Sequence, residues 1–594
     1  MNPTSEILER IIKSSTDHQD GVFTRLYRYL LREDIYYAAY QKLYANKGAA
    51  TKGVDADTAD GFGDEYVKAL IAELKDGTYR PKPVRRQYIE KVNGKKRPLG
   101  IPSFRDKLLQ EAIRLILEAI YEPIFSEYSH GFRPNRSCHT CIKQLKMEFT
   151  GAIWFIEGDI KGCFDNIDHE ILLETLKRKI KDSRFINVIR LFLKAGYVED
   201  WKYNRTHSGT PQGGILSPIL ANIYLNELDN KVAEIKKGFD KSRSSDVTEE
   251  YRLVDKERKR LSYWIDHTED ELQRNKLIEE LKACKKKLRA IPCKPQDNKR
   301  LVYVRYADDW LMGICGNKAD CENIKARIGS YLGDTLNLEL SEEKTLITHS
   351  SNHVRFLGYD IAVRRSQEIK GYKNGRKARS LNYRVELLIP LTEKVEKFMF
   401  AKGAVVQTAD GKLKPTHRPY LFKYSDSEIV EHYNAEIRGI CNYYRLAVNY
   451  HTLDYFCYLM EYSCLKTLAG KHKSKVAKMW SKYRNGKTWA VPYMTKAGEK
   501  YVRIVKIADC RNGFVSDVLP YRGSFPKKRT IQERLQAHEC ELCGKKNAEV
   551  QEVHHVGSLK ELGDSQWEMV MKKKRRKTLI VCSECHALIH SRTK

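Results

Sequence analysis

The segment LVYVRYADDWLMGI, residues 301–314, constrains the fold of this chain more than any other stretch. Apolar residues flank the letters YADD on both sides, a pattern that predicts a strand, a tight turn and a second strand. The turn would hold Asp308 and Asp309 side by side. Two adjacent carboxylates repel each other and are costly to desolvate unless a cation neutralises them. Mg²⁺, a hard ion that prefers oxygen ligands, fits that need. The alternative for these four letters alone is a polar hairpin tip that carries Asp-Asp by chance.

A third carboxylate lies at the end of another apolar stretch. The segment WFIEGDIKGCFDNID, residues 154–168, starts as a strand and brings Asp159 near its end. Two-metal phosphoryl transfer needs carboxylates from separate strands, because one ion activates the attacking 3′-hydroxyl and the other holds the triphosphate. Asp159 and Asp308 meet that need, with Asp309 as an auxiliary ligand.

Length, charge and cysteine content limit the class of protein. A chain of 594 residues is expected to form three to five domains. Its formal net charge of +30 indicates a polyanionic partner, bound through phosphate contacts. No membrane association is expected, because no apolar run approaches the length of a transmembrane helix and the N-terminal residues lack a signal-peptide core. The 15 cysteines are mostly scattered through helical patterns, as in reduced intracellular proteins.

Two CxxC pairs near the end of the chain are the exception to that scatter. They are Cys540-x2-Cys543 and Cys582-x2-Cys585. Four thiolates suit tetrahedral Zn²⁺, and a segment this short needs more than a hydrophobic core to hold it together. The alternative is a pair of disulfides, which an intracellular compartment disfavours. The spacing therefore predicts a structural zinc site.

Five segments occur in the order of the reverse transcriptase motifs. They are DIKGCFDNI, SGTPQGGILSPILANIYL (208–225), YADD, ELSEEKT (339–345) and FLGY (356–359). With them, nearly the whole chain closely resembles the multifunctional proteins encoded inside mobile group II introns, which combine reverse transcriptase, RNA maturase and DNA endonuclease activities. The resemblance implies an α/β multidomain fold: a right-hand reverse transcriptase with fingers, palm and helical thumb, and a small zinc-stabilised HNH (ββα-metal) domain.

The same resemblance implies the order of the domains. They are an N-terminal RNA-binding extension (1–60), fingers and palm (61–365) with a helical insertion (226–300), a thumb with maturase domain X (366–480), a DNA-binding segment (481–535) and an HNH endonuclease with the four-cysteine zinc site (536–594). Some interpretations stay open. The segment 26–44, rich in Tyr and Arg, either contacts RNA or is a packing helix, and the charged insertion either binds RNA or is merely solvated.

The resemblance also places five residues at the incoming nucleotide: Arg97, Phe164, Gln212, Gly213 and Lys344. The planar guanidinium of Arg97 can hold two phosphate oxygens, although alone it would be one exposed arginine among many. Phe164 would lie under the sugar, where a ring excludes a 2′-hydroxyl and selects deoxynucleotides; the alternative is a buried phenylalanine at a strand end. Gly213 lets backbone approach a ligand closely. Lys344 is a secondary candidate.

The histidines near the two CxxC pairs resemble an HNH nuclease motif. The resemblance assigns His555 as the general base for a water molecule, and it places His554, His586 and His590 around a catalytic divalent ion, Mg²⁺. His586 and His590 are four residues apart and share a helix face; the alternative for His586 is packing beside the zinc site. The asparagine that usually orients the base is missing, since Lys577 and Thr578 stand there.

By resemblance, the protein would bind its own group II intron RNA and promote its splicing, and remain with that RNA as a ribonucleoprotein in the bacterial cytoplasm. It would nick one strand of a double-stranded DNA target and copy the intron from the new 3′ end with dNTPs. Two alternatives are a splicing factor with relic catalytic sites and the reverse transcriptase of another retroelement. The palm carboxylates and HNH histidines argue against the first, and the maturase-like region and terminal nuclease against the second.

Overall fold

The structure is a computed structural model that describes most of the 594 residues. The described residues are 3–90, 94, 96–199, 202–204, 208–209, 213–241, 247–291, 293, 299–366, 369–371, 375, 377–379, 382–486, 488–495, 498–512, 531–546 and 551–591. Gln212, predicted to lie at the nucleotide, is outside the described residues.

The N-terminal part of the chain packs helices around one long buried helix. Its elements are α1 (Thr4–Asp17), α2 (Glu33–Leu43), β1 (Phe62–Gly63), α3 (Asp64–Asp76), β2 (Val84–Glu90), β3 (Lys96–Ile101) and α4 (Phe104–Tyr121). Helix α4 begins where the Ser103 hydroxyl accepts a hydrogen bond of 3.3 Å from the Asp106 N–H. It is buried along nearly its whole length, and α1 and α2 pack against it.

The tyrosines of α2 belong to this core. Tyr36 and Tyr40 are fully buried, and the ring of Tyr40 stacks on that of Phe62 with centroids 4.0 Å apart. For these two rings the packing alternative is the right one, and an RNA contact is excluded. Contacts of the rest of residues 1–60 with RNA stay a prediction.

A four-stranded antiparallel sheet, here called the carboxylate sheet, lies in the middle of the chain. The elements of this part are α5 (Cys138–Glu148), β4 (Trp154–Gly158), α6 (Cys163–Asn166), α7 (His169–Lys179), α8 (Ser183–Lys194), β5 (Tyr197–Glu199), β6 (Lys202–Asn204), α9 (Ser217–Phe239), α10 (Glu249–His267), α11 (Glu271–Ala290), β7 (Arg300–Tyr306), β8 (Asp309–Cys315), α12 (Lys318–Leu336) and β9 (Ile347–His349). The strand order is β7-β8-β4-β9. Strands β7 and β8 form the predicted hairpin, and Ala307 in its turn has φ 57°.

A glycine lets β4 and β8 come together at the end of the sheet that carries the acidic residues. Gly158 pairs with Trp310, and a Cβ at Gly158 would lie 1.9 Å from the indole ring. Any larger residue would therefore push β4 away from β8. Because Asp159 follows Gly158 directly, this close approach also sets where that carboxylate emerges.

The helical insertion starts later than the sequence suggests. Helix α9 continues to Phe239 and is mostly buried, so residues 226–239 belong to the core. The hairpin of α10 and α11 follows, and the buried side chains it contributes are Leu261 and Cys284. High charge density indicates this exposed hairpin correctly. It does not indicate where α9 ends, because an amphipathic helix that packs on one side carries charges on the other.

A helical region follows, and its two longest helices pack together. Its elements are β10 (Val354–Phe356), β11 (Tyr359–Val363), β12 (Ile369–Gly371), β13 (Lys377–Arg379), β14 (Val385–Leu388), α13 (Lys397–Ala401), β15 (Val405–Gln407), β16 (Leu413–Pro415), α14 (Asp426–Tyr443), α15 (Leu453–Lys471), α16 (Val476–Lys482), β17 (Arg484–Asn485), β18 (Thr488–Thr495), β19 (Gly498–Arg503) and α17 (Ile507–Asn512). Helices α14 and α15 pack against each other. The hydroxyl of Tyr443 donates to the Leu357 carbonyl at 2.6 Å, which ties α14 to the FLGY turn.

The C-terminal domain folds against the N-terminal part of the chain. Its elements are α18 (Ile531–Gln536), β20 (Gln551–His555), α19 (Gln566–Lys574), β21 (Thr578–Cys582) and α20 (Ser583–Ser591). Strand β1 pairs antiparallel with β20, which gives a three-stranded sheet in the order β1-β20-β21. Phe62 faces Val553 across this pairing, and both belong to one hydrophobic core.

Candidate active sites

The three predicted carboxylates lie at one end of the carboxylate sheet. Asp159 follows β4, Asp308 is in the β7–β8 turn, and Asp309 is the first residue of β8. Burial, followed by the charges of Asp308 and Asp159, raises the pKa of Asp309 to about 6. Burial also raises the pKa of Asp308, again with a contribution from Asp159. Asp308 and Asp309 therefore resist being ionised together unless a cation lies near them.

Two predicted cations lie near these carboxylates. The Lys344 ammonium is 2.7 Å from Asp159 Oδ2, and this hydrogen bond raises the pKa of the lysine. The charge of Arg97, on β3, favours the ionised form of Asp308 and so lies within electrostatic range of the turn. The structure thus brings the predicted basic residues to the predicted acidic ones.

Gly213 and Phe164 lie where backbone segments crowd together beside this site. Gly213 has φ +103°, and a Cβ there would meet Leu99 Cδ1 at 2.6 Å, so only glycine lets the backbone at residue 213 come this close to β3. Phe164 is half-buried on the short helix α6, not at a strand end. Its ring meets that of Phe132 edge-on, with centroids 6.4 Å apart. Phe132 is exposed and was not predicted as a site residue.

A fully buried ion pair stabilises the β7–β8 turn that carries Asp308. The Arg305 guanidinium binds Asp229 of α9 through two nitrogens, with Nε 2.8 Å from Oδ1, and neither side chain is exposed. Arg305 also donates to the carbonyl of Ala307, the residue before Asp308, at 2.8 Å. This pair was not predicted, although an arginine inside an apolar strand is a signal that could have indicated it.

The four cysteines of the two CxxC pairs converge as the spacing predicts. All four Sγ atoms of Cys540, Cys543, Cys582 and Cys585 lie within 4.8 Å of one another. Burial opposes the Cys540 thiolate, but backbone N–H groups donating to its sulfur lower its pKa to about 7. Four sulfurs at this separation, one already favoured as a thiolate, are the donor set that tetrahedral Zn²⁺ prefers.

A second cluster joins three of the predicted histidines to Asp60. The ligand nitrogens of His554, His586 and His590 lie within 4.8 Å of one another and of an Asp60 carboxylate oxygen. Asp60 stands two residues before β1, outside the C-terminal domain. Although burial opposes its ionisation, His554 and His586 hold the pKa of Asp60 well below its usual range. His586 belongs to this cluster, so packing beside the cysteines is not its place.

The predicted base, His555, faces the N-terminal part of the chain. Its backbone N–H donates to Asp60 Oδ1 at 2.6 Å. Its ring Nε2 lies 3.0 Å from the backbone carbonyl oxygen of Tyr44, which only accepts, so Nε2 carries the proton and Nδ1 has the lone pair. Burial lowers the pKa of His555, which keeps the ring neutral near pH 7. The Tyr44 carbonyl thus fixes the orientation of the His555 ring.

Sequence reasoning missed three residues of this centre: Asp60, Tyr44 and Glu552. Glu552 contacts His586 Nδ1 and fixes which nitrogen of that ring faces the cluster. Glu552 stands two residues before His554 in an alternating strand, so both side chains lie on the same face, outside the core face. That spacing is a signal that could have indicated Glu552. Asp60 and Tyr44 carry no such signal, because they lie in a different part of the chain.

An acidic polymerase-type site and a histidine centre on a β-hairpin and helix define a reverse transcriptase joined to an HNH-type nuclease. Residues 89–248 match the reverse transcriptase (RNA-dependent DNA polymerase) family, 382–507 the type II intron maturase family, and 540–586 the AI2M/AI1M-like HNH endonuclease family. The chain belongs to the group II intron-encoded proteins. It combines RNA-directed DNA polymerase, intron maturase and DNA endonuclease functions, as predicted.

Relatives at full length support this assignment. The group II intron-encoded protein LtrA of Lactococcus lactis subsp. cremoris is 53% identical over 595 residues, covering 99% of both chains. An uncharacterized 91 kDa protein in the cob intron of Schizosaccharomyces pombe is 34% identical over 98% of this chain and 72% of its own length. A solved apo telomerase structure from Candida Tropicalis covers 52% of this chain and 61% of its own at 15% identity, with a TM-score of 0.30, too low to bear on the fold.

Every helix within the described ranges is too short or too polar to span a membrane.

Proposed function

We propose that Asp159, Asp308 and Asp309 hold two Mg²⁺ ions at the polymerase centre. Bound Mg²⁺ would supply charge neutralisation at the triphosphate and activation of the primer 3′-hydroxyl. The chain positions the carboxylates on rigid strand ends and on a turn held by Arg305. The observation that carries this assignment is that Asp159, Asp308 and Asp309, from separate strands, meet at one end of the carboxylate sheet; the raised pKa of Asp309 agrees with it.

Residues around the carboxylates would bind the nucleotide. Arg97 holds the triphosphate with its guanidinium, and Lys344, now paired with Asp159, is the second cation within reach. Gly213 and Gln212 support the nucleotide and template base from below. Phe164 lies under the sugar and selects dNTPs, its ring held in place by Phe132.

The polymerase region would adopt the right-hand arrangement. The fingers include β2 and β3, the palm is the carboxylate sheet, and the thumb is built on α14 and α15 within residues 366–480. Residues 481–535 would contact DNA, and residues 536–594 would form the nuclease domain. The tie between Tyr443 and the FLGY turn supports a thumb whose position follows the palm.

Structural Zn²⁺ would occupy the four-cysteine site, and a divalent ion would occupy the histidine cluster at the nuclease centre. The nuclease ion would stabilise the departing 3′-oxygen. His555 is the general base. The Tyr44 carbonyl accepts from its Nε2–H, and its Nδ1 takes the proton from the attacking water. The lowered pKa of His555 supports this role, because only a neutral imidazole accepts a proton.

The partners would be the intron RNA that encodes the protein, a double-stranded DNA target and dNTPs. The net charge of +30 supports extended phosphate contacts. The protein would work in the bacterial cytoplasm within a ribonucleoprotein, nick one target strand and extend the new 3′ end.

Substitution of one palm carboxylate tests the central assignment. Asp308→Ala should abolish cDNA synthesis on a primed RNA template, while intron RNA binding and splicing stay near the wild-type level, because RNA is contacted elsewhere. Asp334→Ala, on an exposed turn of α12, is the matched control and should leave all three unchanged. A cDNA yield from Asp308→Ala equal to that of the wild type would refute the assignment.

A further inference from the structure

The nuclease centre contains a carboxylate from outside the nuclease domain. Asp60 lies at the end of the N-terminal region, and 495 residues separate it from His555, which it contacts. Its Oδ2 is 2.8 Å from His590 Nε2, and its Oδ1 is 3.1 Å from His554 Nδ1 and 3.4 Å from His586 Nε2. One carboxylate therefore faces all three histidines that we assign to the nuclease ion.

The contacts within this cluster are better suited to a cation than to hydrogen bonds. His554 is almost fully buried; among the described residues its Nε2 meets no hydrogen-bond partner, and its Nδ1 lies 3.1 Å from Asp60 Oδ1 but outside hydrogen-bond geometry. His586 Nε2 and His590 Nε2 lie 3.2 Å apart, although two lone pairs so close repel unless a proton or a metal ion lies between them. Glu552 occupies the far nitrogen of His586, which turns Nε2 inward. Buried polar atoms without partners call for an explanation, and a bound ion is the simplest one.

We propose that Asp60 is the fourth protein ligand of the nuclease metal ion, supplied by the N-terminal region. The proposal rests on the nuclease centre assigned above. Three imidazoles and one carboxylate form a four-coordinate set for a first-row transition ion such as Zn²⁺ or Co²⁺, whose shell can expand to take the departing 3′-oxygen, or most of the shell of a six-coordinate ion. The ion would then bridge two parts of the chain, and its affinity would depend on their docking.

Backbone contacts hold Asp60 at this position. The Asp60 carboxylate accepts from the His555 N–H, and the Gly61 N–H donates to the Val553 carbonyl at 3.0 Å. The β1–β20 pairing follows directly, and there Gly63 approaches so closely that a Cβ would lie 2.4 Å from the Gln551 carbonyl oxygen. Asp60 is therefore fixed by the strand that completes the nuclease sheet, and it does not reach the histidines by side-chain flexibility.

Metal binding by the full-length protein tests this role without relying on cleavage. The cysteines are first loaded with Zn²⁺, and any Co²⁺ held by the palm carboxylates contributes equally in every variant because the palm is unchanged. Co²⁺ is then titrated and its visible absorption recorded, since four-coordinate Co²⁺ absorbs several-fold more strongly than six-coordinate Co²⁺. Asp60→Asn keeps an oxygen that accepts from His555 but removes the charged ligand. It should weaken Co²⁺ binding by at least about tenfold and reduce the absorption per bound ion.

Two further variants separate the explanations. Asp55→Ala, which removes a surface pair with Lys82, is the matched control and should bind Co²⁺ as the wild type does. Gly63→Val should separate β1 from β20 and weaken Co²⁺ binding as much as Asp60→Asn does, although Asp60 is intact. Hydrogen exchange in residues 551–555 should rise in Gly63→Val and stay low in Asp60→Asn.

His590→Ala distinguishes failure of this proposal from failure of the nuclease assignment. If His590→Ala loses Co²⁺ binding while Asp60→Asn retains wild-type affinity and absorption, the nuclease centre stands and Asp60 is only a docking residue. If both variants bind as the wild type does, the histidine cluster is not a metal site at all, and both conclusions fall. Loss in both, with Asp55→Ala unaffected, supports Asp60 as a ligand.

Discussion

Removing the charge of Asp229 should destabilise the palm strongly. Asp229→Asn keeps the size of the side chain but leaves the Arg305 guanidinium charged and fully buried without its counter-ion. Breaking a buried ion pair by removing one partner costs about 3–5 kcal/mol, because the remaining charge cannot return to water. Because both side chains are buried, we expect the free-energy cost of breaking this pair to lie in that range. Exposed pairs contribute only about 0–1 kcal/mol.

Hydrogen exchange can measure this cost inside a large chain. Protection of the amides in residues 300–315 should fall by about two to three and a half orders of magnitude, because each 1.4 kcal/mol of opening free energy is about a factor of ten. Amides of α19 should keep their protection, since that helix packs in the small separate hydrophobic core of the C-terminal domain. Glu227→Gln is the matched control, because Glu227 lies on the same helix as Asp229 but pairs with the exposed Arg178. It should change the protection of these amides by less than about tenfold.

A double variant separates stability from activity. Replacing the pair by apolar residues, Asp229→Leu with Arg305→Met, should recover most of the lost protection, because buried pairs and apolar isosteres are often equally stable. The carbonyl of Ala307 would still lack its donor, so the turn that carries Asp308 would be less well held. We expect cDNA synthesis about ten- to a hundredfold slower than the wild type, since small displacements of catalytic groups cost about that much. Wild-type protection in Asp229→Asn, or wild-type synthesis in the double variant, would refute this reasoning.

Three other predictions concern the metal sites and the base. Because the pKa of Asp309 is raised to about 6, its carboxyl is protonated below that pH. The Mg²⁺ affinity measured by calorimetry should therefore fall about tenfold per pH unit below pH 6 and level off above it. A constant affinity between pH 5 and 7 would contradict this. Cys540→Ser should remove the stoichiometric zinc and expose residues 536–594 to proteolysis. Cys293→Ser, which alters an exposed cysteine outside the cluster, should do neither. Wild-type protein that contains no zinc would exclude the site. His555→Ala should abolish nicking of an end-labelled DNA target by the intron ribonucleoprotein while zinc content and cDNA synthesis persist, and nicking at the wild-type rate would show that His555 is not the base.

Local patterns were sufficient to predict the polymerase and cysteine sites. The alternation around Asp308 specifies a hairpin because strand period and turn chemistry are properties of adjacent residues. The two CxxC pairs specify convergence because four thiolates in a short segment have few other stable arrangements.

Contacts between distant segments could not be predicted from those patterns. Tyr40 appears in the sequence as an aromatic residue beside basic ones, yet it stacks on Phe62 beneath the nuclease sheet. Asp60 stands in a polar stretch with no period of its own, and Tyr44 contributes a backbone carbonyl that any residue would supply. The end of α9 was misplaced for a related reason, because its charged last turns lie over the same core as its apolar start.

The pairing of β1 with β20 has a consequence for synthesis of the protein on the ribosome. About 25–100 s of translation separate the emergence of Asp60 from that of its partner His555, at about 5–20 residues per second. During that interval the edge of β1 and the ring of Phe62 have no partner strand, although the polymerase core beside them can already fold. A slow nascent chain would therefore leave an apolar strand edge exposed to neighbouring chains, and factors that shield such edges during elongation would affect nuclease assembly more than polymerase folding.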